Sequence, residues 1–208
     1  MTGSAYLSSR RKRALDVLLG SCALLVSAPV LGICVVAIRL ETHGHPVYRQ
    51  RRVGRDGEPF ELYKLRTMVS GAEAMGKGLA VDAGDDRITR LGAWLRRTSL
   101  DELPNLVNVL RGEMSIVGPR PTVQVQVDRY DERQRHRLDA LPGITGWAQV
   151  NGRASLPWHE RIELDLWYVE RASLRLDLQI LARTAQMAIT GHGLYRGETG
   201  GWREPPRA

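Results

Sequence analysis

Between Asp16 and Arg39 the chain carries no charge for about 22 residues, enough to cross a bilayer as a helix. No other feature limits the possible folds as strongly. Arg10, Arg11, Lys12 and Arg13 precede the run, and Arg39, Arg49, Arg51, Arg52 and Arg55 follow it. Basic flanks stay on the cytoplasmic side of a membrane. A straight span places its two flanks on opposite sides, whereas a helix that enters, bends and leaves by the same face keeps both inside. Pro29, near the middle, lacks a backbone N–H and bends a helix. Ser27 stands close enough to satisfy a carbonyl freed at the bend, as a break at membrane depth requires. A cleavable signal peptide is the competing reading, but Pro29 follows Val26-Ser27-Ala28 and disfavours cutting there. Cys22 and Cys34 both lie in the run and read as buried or lipid-facing thiols.

Beyond the apolar run, 208 residues suit one domain with an appendage, and a formal net charge of +7 calls for anionic partners. Nucleic acid, acidic lipid headgroups and phosphorylated small molecules all qualify. The expected organisation is a basic leader over 1–13, a re-entrant membrane helix over 14–40, a cytosolic catalytic domain lying on the membrane over 41–190, and a flexible tail over 191–208. The fold class is α+β: mainly helical, membrane-associated, with a short β-hairpin and amphipathic surface helices.

HPVYRQRRVGRDGEPFELYKLRTM, residues 45–68, predicts two short strands around a Gly-Arg-Asp-Gly turn. Lys64 and Arg66 then project from one face of the second strand, solvated or, beside an anion, as ligands. Ser70 to Asp86, rich in Gly, Ala and Asp, reads as a mobile loop or a loose helix, with acids that face solvent rather than a catalytic centre. From Arg87 to Arg97, Ile88, Leu91, Trp94 and Leu95 recur at helical spacing among arginines, which fits a helix on a membrane surface or one packed into a core. A charged helix is expected from Val123 to Leu138. Helices are also expected from Trp158 to Glu170 and from Leu174 to Ile189.

The chemistry concentrates in RRTSLDELPNLVNVLRGEMSIVGPRP, residues 96–121. Asp101 and Glu102 stand side by side after two arginines. A carboxylate can attack phosphorus and form an acyl phosphate, and its neighbour can hold magnesium through oxygen. The structural alternative is a capping box between Ser99 and Glu102. Pro104 favours a helix from Pro104 to Arg111 stopped by Gly112, with the acids just ahead of it and its N-terminus turned towards a phosphate. Further on, PGITGWAQVNGR, residues 142–153, combines three glycines with Trp147, Gln149, Asn151 and Arg153. Such a loop can meet a nucleotide, although a lone glycine-rich loop is weak evidence.

Taken in order, KRALDVLL from Lys12, YKLRTM at 63–68, SLDELPNLVNVLRGEMSIVGPRP at 99–121 and PGITGWAQVNGR resemble the bacterial sugar transferases, in their small monotopic phosphoglycosyl transferase form. The resemblance covers nearly the whole chain. It implies transfer of a sugar 1-phosphate from a UDP-sugar to polyprenol (undecaprenyl) phosphate, with UMP released, as a first membrane step in bacterial glycoconjugate synthesis. It implies Asp101 as nucleophile and Glu102 as the residue associated with Mg²⁺. Arg97, Arg120 and Lys64 would lie near the phosphates, and Trp147, Gln149, Asn151 and Arg153 in a loop shaping the nucleotide-sugar site. The family's helix breaks at a Ser-Pro pair. Here Ala28 precedes Pro29 and the serine is one place earlier, at Ser27.

The resemblance places the protein on the cytoplasmic face of the bacterial inner membrane. Its implied partners are the UDP-sugar, polyprenol phosphate and membrane lipids, with no nucleic acid, and exposed apolar helices leave room for a homodimer. Two other classes fit parts of the sequence. A non-catalytic membrane adaptor explains the charge but leaves the acid pair without a purpose. A phosphohydrolase would use the same aspartate and release its product to water.

Overall fold

A computed structural model of the chain describes residues 3–75, 84–152 and 155–190. A short helix, α1 (Gly3–Leu7), leads into α2 (Arg10–Glu41), so the leader expected over 1–13 is largely helical. Ser9 starts α2 by accepting a hydrogen bond from the Lys12 backbone N–H at its side-chain oxygen. The helix is continuous through Pro29. Ser27 Oγ donates to the Leu24 carbonyl, 3.3 Å away, which gives the residues expected at a break a place inside one unbroken helix. Both ends of α2 are buried against the rest of the protein, through Lys12, Asp16 and Gly20 at one end and Cys34 and Ile38 at the other. Its middle is bare, with Leu25 78% and Val26 79% exposed.

The predicted hairpin forms from β1 (Val47–Val53) and β2 (Pro59–Leu65), antiparallel, with Val47 opposite Leu65 and Val53 opposite Pro59. Alternation turns Phe60 and Leu62 inward, where they meet Val109 and Met114. Arg66, just past β2, is not a free cation on that face. Its guanidinium donates to the carbonyls of Thr42 and His43, closing the C-terminal end of α2.

Of the segment expected over Ser70–Asp86 as a mobile loop or a loose helix, the described part contains a 3-10 turn at Ala72–Met75. Asp85 does not face solvent as expected: it pairs with Arg87 at 2.7 Å, both side chains buried. That pairing and a bridge between Ile88 and Met68 take both residues out of the next helix, so α3 spans Arg90–Thr98, capped by Thr89. Leu95 is fully buried and packs with Cys34, Ile38 and Leu65, while Trp94 is exposed.

After α4 (Asn105–Arg111) a second sheet appears that the sequence did not announce: β3 (Ser115–Val117) parallel to β4 (Gly143–Thr145). Three-residue strands leave no readable periodicity, and their closeness depends on glycine. A Cβ on Gly143 would lie 2.1 Å from the Gly118 nitrogen, and one on Gly146 2.1 Å from the Gly118 carbonyl oxygen. The single helix expected from Val123 to Leu138 is instead α5 (Gln124–Val127), α6 (Glu132–Arg135) and a 3-10 turn at His136–Asp139. Asp131 restarts the chain by accepting from the Gln134 N–H, and Tyr130 between the pieces is buried.

The stretch expected as an open loop from Pro142 holds β4 and α7 (Trp147–Val150). The chain then continues through α8 (Trp158–Arg171) and α9 (Leu174–Thr190). Tyr6, Val117, Tyr168, Val169, Leu176 and Ile180 form one core where α1, β3, α8 and α9 meet. Within it Lys12 Nζ bonds Asp177 (2.7 Å) and the Val117 carbonyl (3.1 Å), and the Tyr6 and Tyr168 hydroxyls donate to the same Asp177, each at 2.8 Å. Asp16 takes the Ser115 hydroxyl and the Ile116 N–H. The start of the apolar helix is thus locked into the domain by charge-assisted bonds. The tail expected from Gly191 lies outside the described residues.

Candidate active site

The carboxylate pair stands on a 3-10 turn, Leu100–Glu102, between α3 and α4. Ser99 closes α3 in the left-handed region (φ 56°), a conformation that costs a non-glycine residue energy and is held here by the elements on either side. Its side chain makes no cap bond, so the capping box does not form. The helix expected from Pro104 begins at Asn105 with Pro104 as its cap, and Gly112 (φ 84°) ends it as expected.

Glu102 holds the cations. Its Oε1 accepts from Lys64 Nζ at 2.8 Å and from an Arg120 Nη at 2.7 Å. Asp101 is 9% exposed, and among the described residues neither cation forms an ion pair with it. Burial, reinforced by the Glu102 charge, raises the Asp101 carboxyl above the usual aspartate range, against the opposing pull of Lys64, Arg96 and Arg120. Burial acts on Glu102 in the same sense but is overcome by Arg120 and Lys64, and the result is a strongly lowered value. Lys64 is itself lowered by burial, with Glu102 holding it partly up.

Arg120 arrives on the Gly-Pro-Arg-Pro turn after β3, and that turn is pinned from three sides. Arg137 donates to the Arg120 carbonyl at 2.6 Å, Arg52 to the Pro121 carbonyl at 3.2 Å, and the Val53 N–H to the Thr122 carbonyl at 2.9 Å. Arg137 is anchored in turn by Asp165 of α8 at 2.8 Å and by the Tyr130 hydroxyl at 3.0 Å.

Of the residues singled out from the sequence, Asp101, Glu102, Lys64 and Arg120 come together. Arg97 does not join them. It lies on the exposed side of α3, and its neighbour Arg96, bonded to Thr67, is the arginine whose charge reaches Asp101. Trp147 stacks on Trp167 with ring centroids 4.8 Å apart, and Asn151 bonds the Trp147 carbonyl and Arg183. Both therefore knit α7 to α8 and α9. Gln149 is buried with neither end of its amide hydrogen-bonded. Arg153 lies outside the described residues. Ser27 and Pro29 sit in the bare middle of α2. Arg52, Arg96, Arg137 and Asp165 were not singled out. Arg52 is indistinguishable from its neighbours in the basic run Arg49–Arg52, and Arg137 and Asp165 stand 28 positions apart with no shared motif.

A divalent cation has few protein ligands to choose from: among the described residues no group of three acidic, histidine or cysteine side chains converges. What is present is the second oxygen of Glu102 with Asp101 beside it. That donor set fits magnesium, which binds through one or two carboxylates and completes its shell with substrate phosphates and water.

An acid pair set among cations stands in a chain with one helix, among the described residues, long and apolar enough to cross a membrane. The chain belongs to the bacterial sugar transferase family, whose model matches residues 7–191. It is 42% identical over 193 residues to the UDP-glucose:undecaprenyl-phosphate glucose-1-phosphate transferase of Caulobacter vibrioides, covering 89% of this chain and 72% of that one. It is 38% identical over 185 residues to the uncharacterized sugar transferase EpsL of Bacillus subtilis, covering 89% of this chain and 90% of the relative. It is also 38% identical over 188 residues to the UDP-N-acetylgalactosamine-undecaprenyl-phosphate N-acetylgalactosaminephosphotransferase of Aeromonas hydrophila, covering 88% of this chain but only 44% of that protein.

Proposed function

We propose that this protein transfers a sugar 1-phosphate from a UDP-sugar to polyprenol phosphate on the cytoplasmic face of the bacterial inner membrane. The observation that carries this reading is the division of labour within the acid pair. Among the described residues Glu102 forms ion pairs with Lys64 and Arg120, and Asp101, one residue away, forms none. A carboxylate tied to two cations is a poor nucleophile, and one kept clear of them retains its lone pairs for phosphorus.

Asp101 attacks the sugar-bearing phosphorus, a phosphoryl-aspartate forms, and UMP leaves. An oxygen of the lipid phosphate then attacks the same phosphorus and restores the carboxylate. Lys64 and Arg120, steadied by Glu102, face the charge that moves over the phosphate oxygens. Magnesium bound at Glu102 would add neutralisation of the diphosphate and of the departing UMP. The relatives' names support UDP-sugar and undecaprenyl phosphate as the two substrates, and they differ in the sugar they name.

Membrane attachment through α2 brings the site to the lipid acceptor. Its two buried ends and exposed apolar middle support a helix that dips into the bilayer and returns, bent at Pro29.

The test is a UMP-release assay over a panel of UDP-sugars, with and without polyprenol phosphate and magnesium. Asp101→Ala and Asp101→Asn are expected to lower release at least a thousandfold with membrane association unchanged, and wild-type protein quenched during turnover should carry labelled sugar phosphate on Asp101. Full turnover by Asp101→Ala would reject the role.

A further inference from the structure

The turn that carries the acid pair is continuous with α4. Leu100–Glu102 is a 3-10 turn, Leu103 (φ −56°, ψ −36°) and Pro104 (φ −59°, ψ −20°) keep a right-handed helical backbone, and α4 follows at once. Across the joint the Leu103 N–H donates to the Leu100 carbonyl at 3.3 Å, and the Leu106 N–H to the Leu103 carbonyl at 3.0 Å. Residues 100–111 therefore form one coil, and a shift of α4 carries Asp101 and Glu102 with it.

The seven residues of α4 make about two turns, too few to hold a helix in place alone, so α4 lies where its neighbours grip it. One grip is Asn108, whose Oδ1 accepts from the Tyr63 N–H at 3.2 Å and whose Nδ2 donates to the Glu61 carbonyl at 2.6 Å. It fastens α4 to β2 one residue before Lys64, a cation bound to Glu102. A second grip comes from α2. Arg13 Nη1 donates to the Val109 carbonyl at 2.6 Å, and its Nη2 to the Leu110 carbonyl at 2.8 Å. Both carbonyls belong to the last turn, where a helix lacks N–H partners of its own and favours a cation. Gly20, about two turns further along α2, keeps the two helices close. A Cβ there would lie 3.3 Å from Val109 Cγ1 and 3.4 Å from Leu110 Cδ2. Arg10 and Arg11, from the same basic run, are exposed.

We propose that Arg13 is a positioning residue for the transfer reaction: its fork on the end of α4 is the link through which the long apolar helix holds the carboxylate pair in place. This rests on the function proposed above and adds to it the route by which α2 bears on the acids. A guanidinium donating two bonds fixes an angle as well as a distance, whereas an ammonium fixes a point. Without the fork α4 can pivot about Asn108, and Glu102 then moves against Lys64 and Arg120. Arg13 lies at the far end of α4 from the reacting carboxylate, so its loss should fall on kcat, through misplacement of the acids, and leave KM for the UDP-sugar nearly unchanged.

The experiment uses the full chain in nanodiscs and two readouts. Hydrogen–deuterium exchange, followed by mass spectrometry without substrate, should quicken about tenfold over residues 100–111 in Arg13→Gln and stay at the parental rate over α8. UMP release by the same variant should show kcat lowered about tenfold, with KM for the UDP-sugar within about twofold of the parent. Arg13→Lys should fall between Arg13→Gln and the parent, and Arg11→Gln should match the parent in both readouts. On a Lys64→Met background the loss caused by Arg13→Gln should shrink, because the arrangement it disturbs is already broken. Thermal melting and flotation on lipid check that each variant folds and stays attached, and where Arg13→Gln does not fold, Arg13→Lys is read instead. Parental exchange over 100–111, or a parental kcat, in a folded Arg13 variant would overturn the proposal. So would exchange quickened throughout the chain, an equal loss in Arg11→Gln, or an undiminished loss on the Lys64→Met background. The expected exchange pattern in a protein that turns over no UDP-sugar would reject the function proposed above and leave the hold of Arg13 on the acid turn standing.

Discussion

Asp101 and Glu102 are adjacent acids of the same chemical type, and the fold gives them opposite surroundings. One carboxylate oxygen of Glu102 is shared by two cations, while the nearest pressure on Asp101 is burial and its own neighbour's charge. The arrangement depends on where Arg120 stands, and that depends on the buried pair Arg137–Asp165, with side chains only 4% and 2% exposed. Asp165→Asn would leave Arg137 charged and buried without its partner. Breaking one side of such a pair costs about 3–5 kcal/mol. The variant should therefore show a clearly lower denaturant midpoint, together with reduced UMP release because the Arg120 carbonyl loses a firmly held donor. Replacing both partners by apolar residues should restore much of the stability but not the activity. An unchanged midpoint in Asp165→Asn would show that the pair does not hold the turn.

Among the elements, α2 carries the clearest expectation. Its buried positions Lys12, Asp16 and Gly20 meet the core under β3 and α4, and Cys34 and Ile38 meet β2 and α3. Both ends therefore belong to one folded unit, and the apolar stretch between them is left exposed, as the proposed re-entrant membrane helix requires. Single cysteines at Ser8 and His43, in a background without Cys22 and Cys34, should both react with a membrane-impermeant maleimide from the cytoplasmic side alone. Labelling of the two positions from opposite sides would mean a straight span. The hairpin was legible because strand alternation and a Gly-Arg-Asp-Gly turn are local signals. The β3–β4 pair was not legible, since its strands are three residues long, far apart in sequence, and brought together by close approaches at Gly118, Gly143 and Gly146.

At the scale of the molecule, the helix that resembles an anchor is also part of the core. Lys12 closes a cluster with Tyr6, Tyr168 and Asp177, and removing it would leave Asp177 buried with two hydroxyl donors and no cation. A chain cut before Glu41 should lose that closure and uncover Leu65 and Leu95, which pack on Cys34 and Ile38. Burying such side chains is worth about 1.5–3 kcal/mol each. The truncated protein is expected to aggregate or melt without a cooperative transition, as circular dichroism and analytical ultracentrifugation would report. A soluble, cooperatively folding fragment would make α2 a detachable tether.

The sequence by itself determined what is written locally: an uncharged helical run with a proline inside it, a hairpin, two adjacent acids, and a helix stopped by Gly112. Only the tertiary structure decided which acid holds the cations and which arginines matter. Lys64 and Arg120 reach Glu102 from 38 and 18 positions away, and it is the charge of Arg96, bonded to Thr67, that reaches Asp101. The reason is physical. Electrostatic energy depends on distance and burial in space, and the order of residues along a chain records neither until the chain has folded.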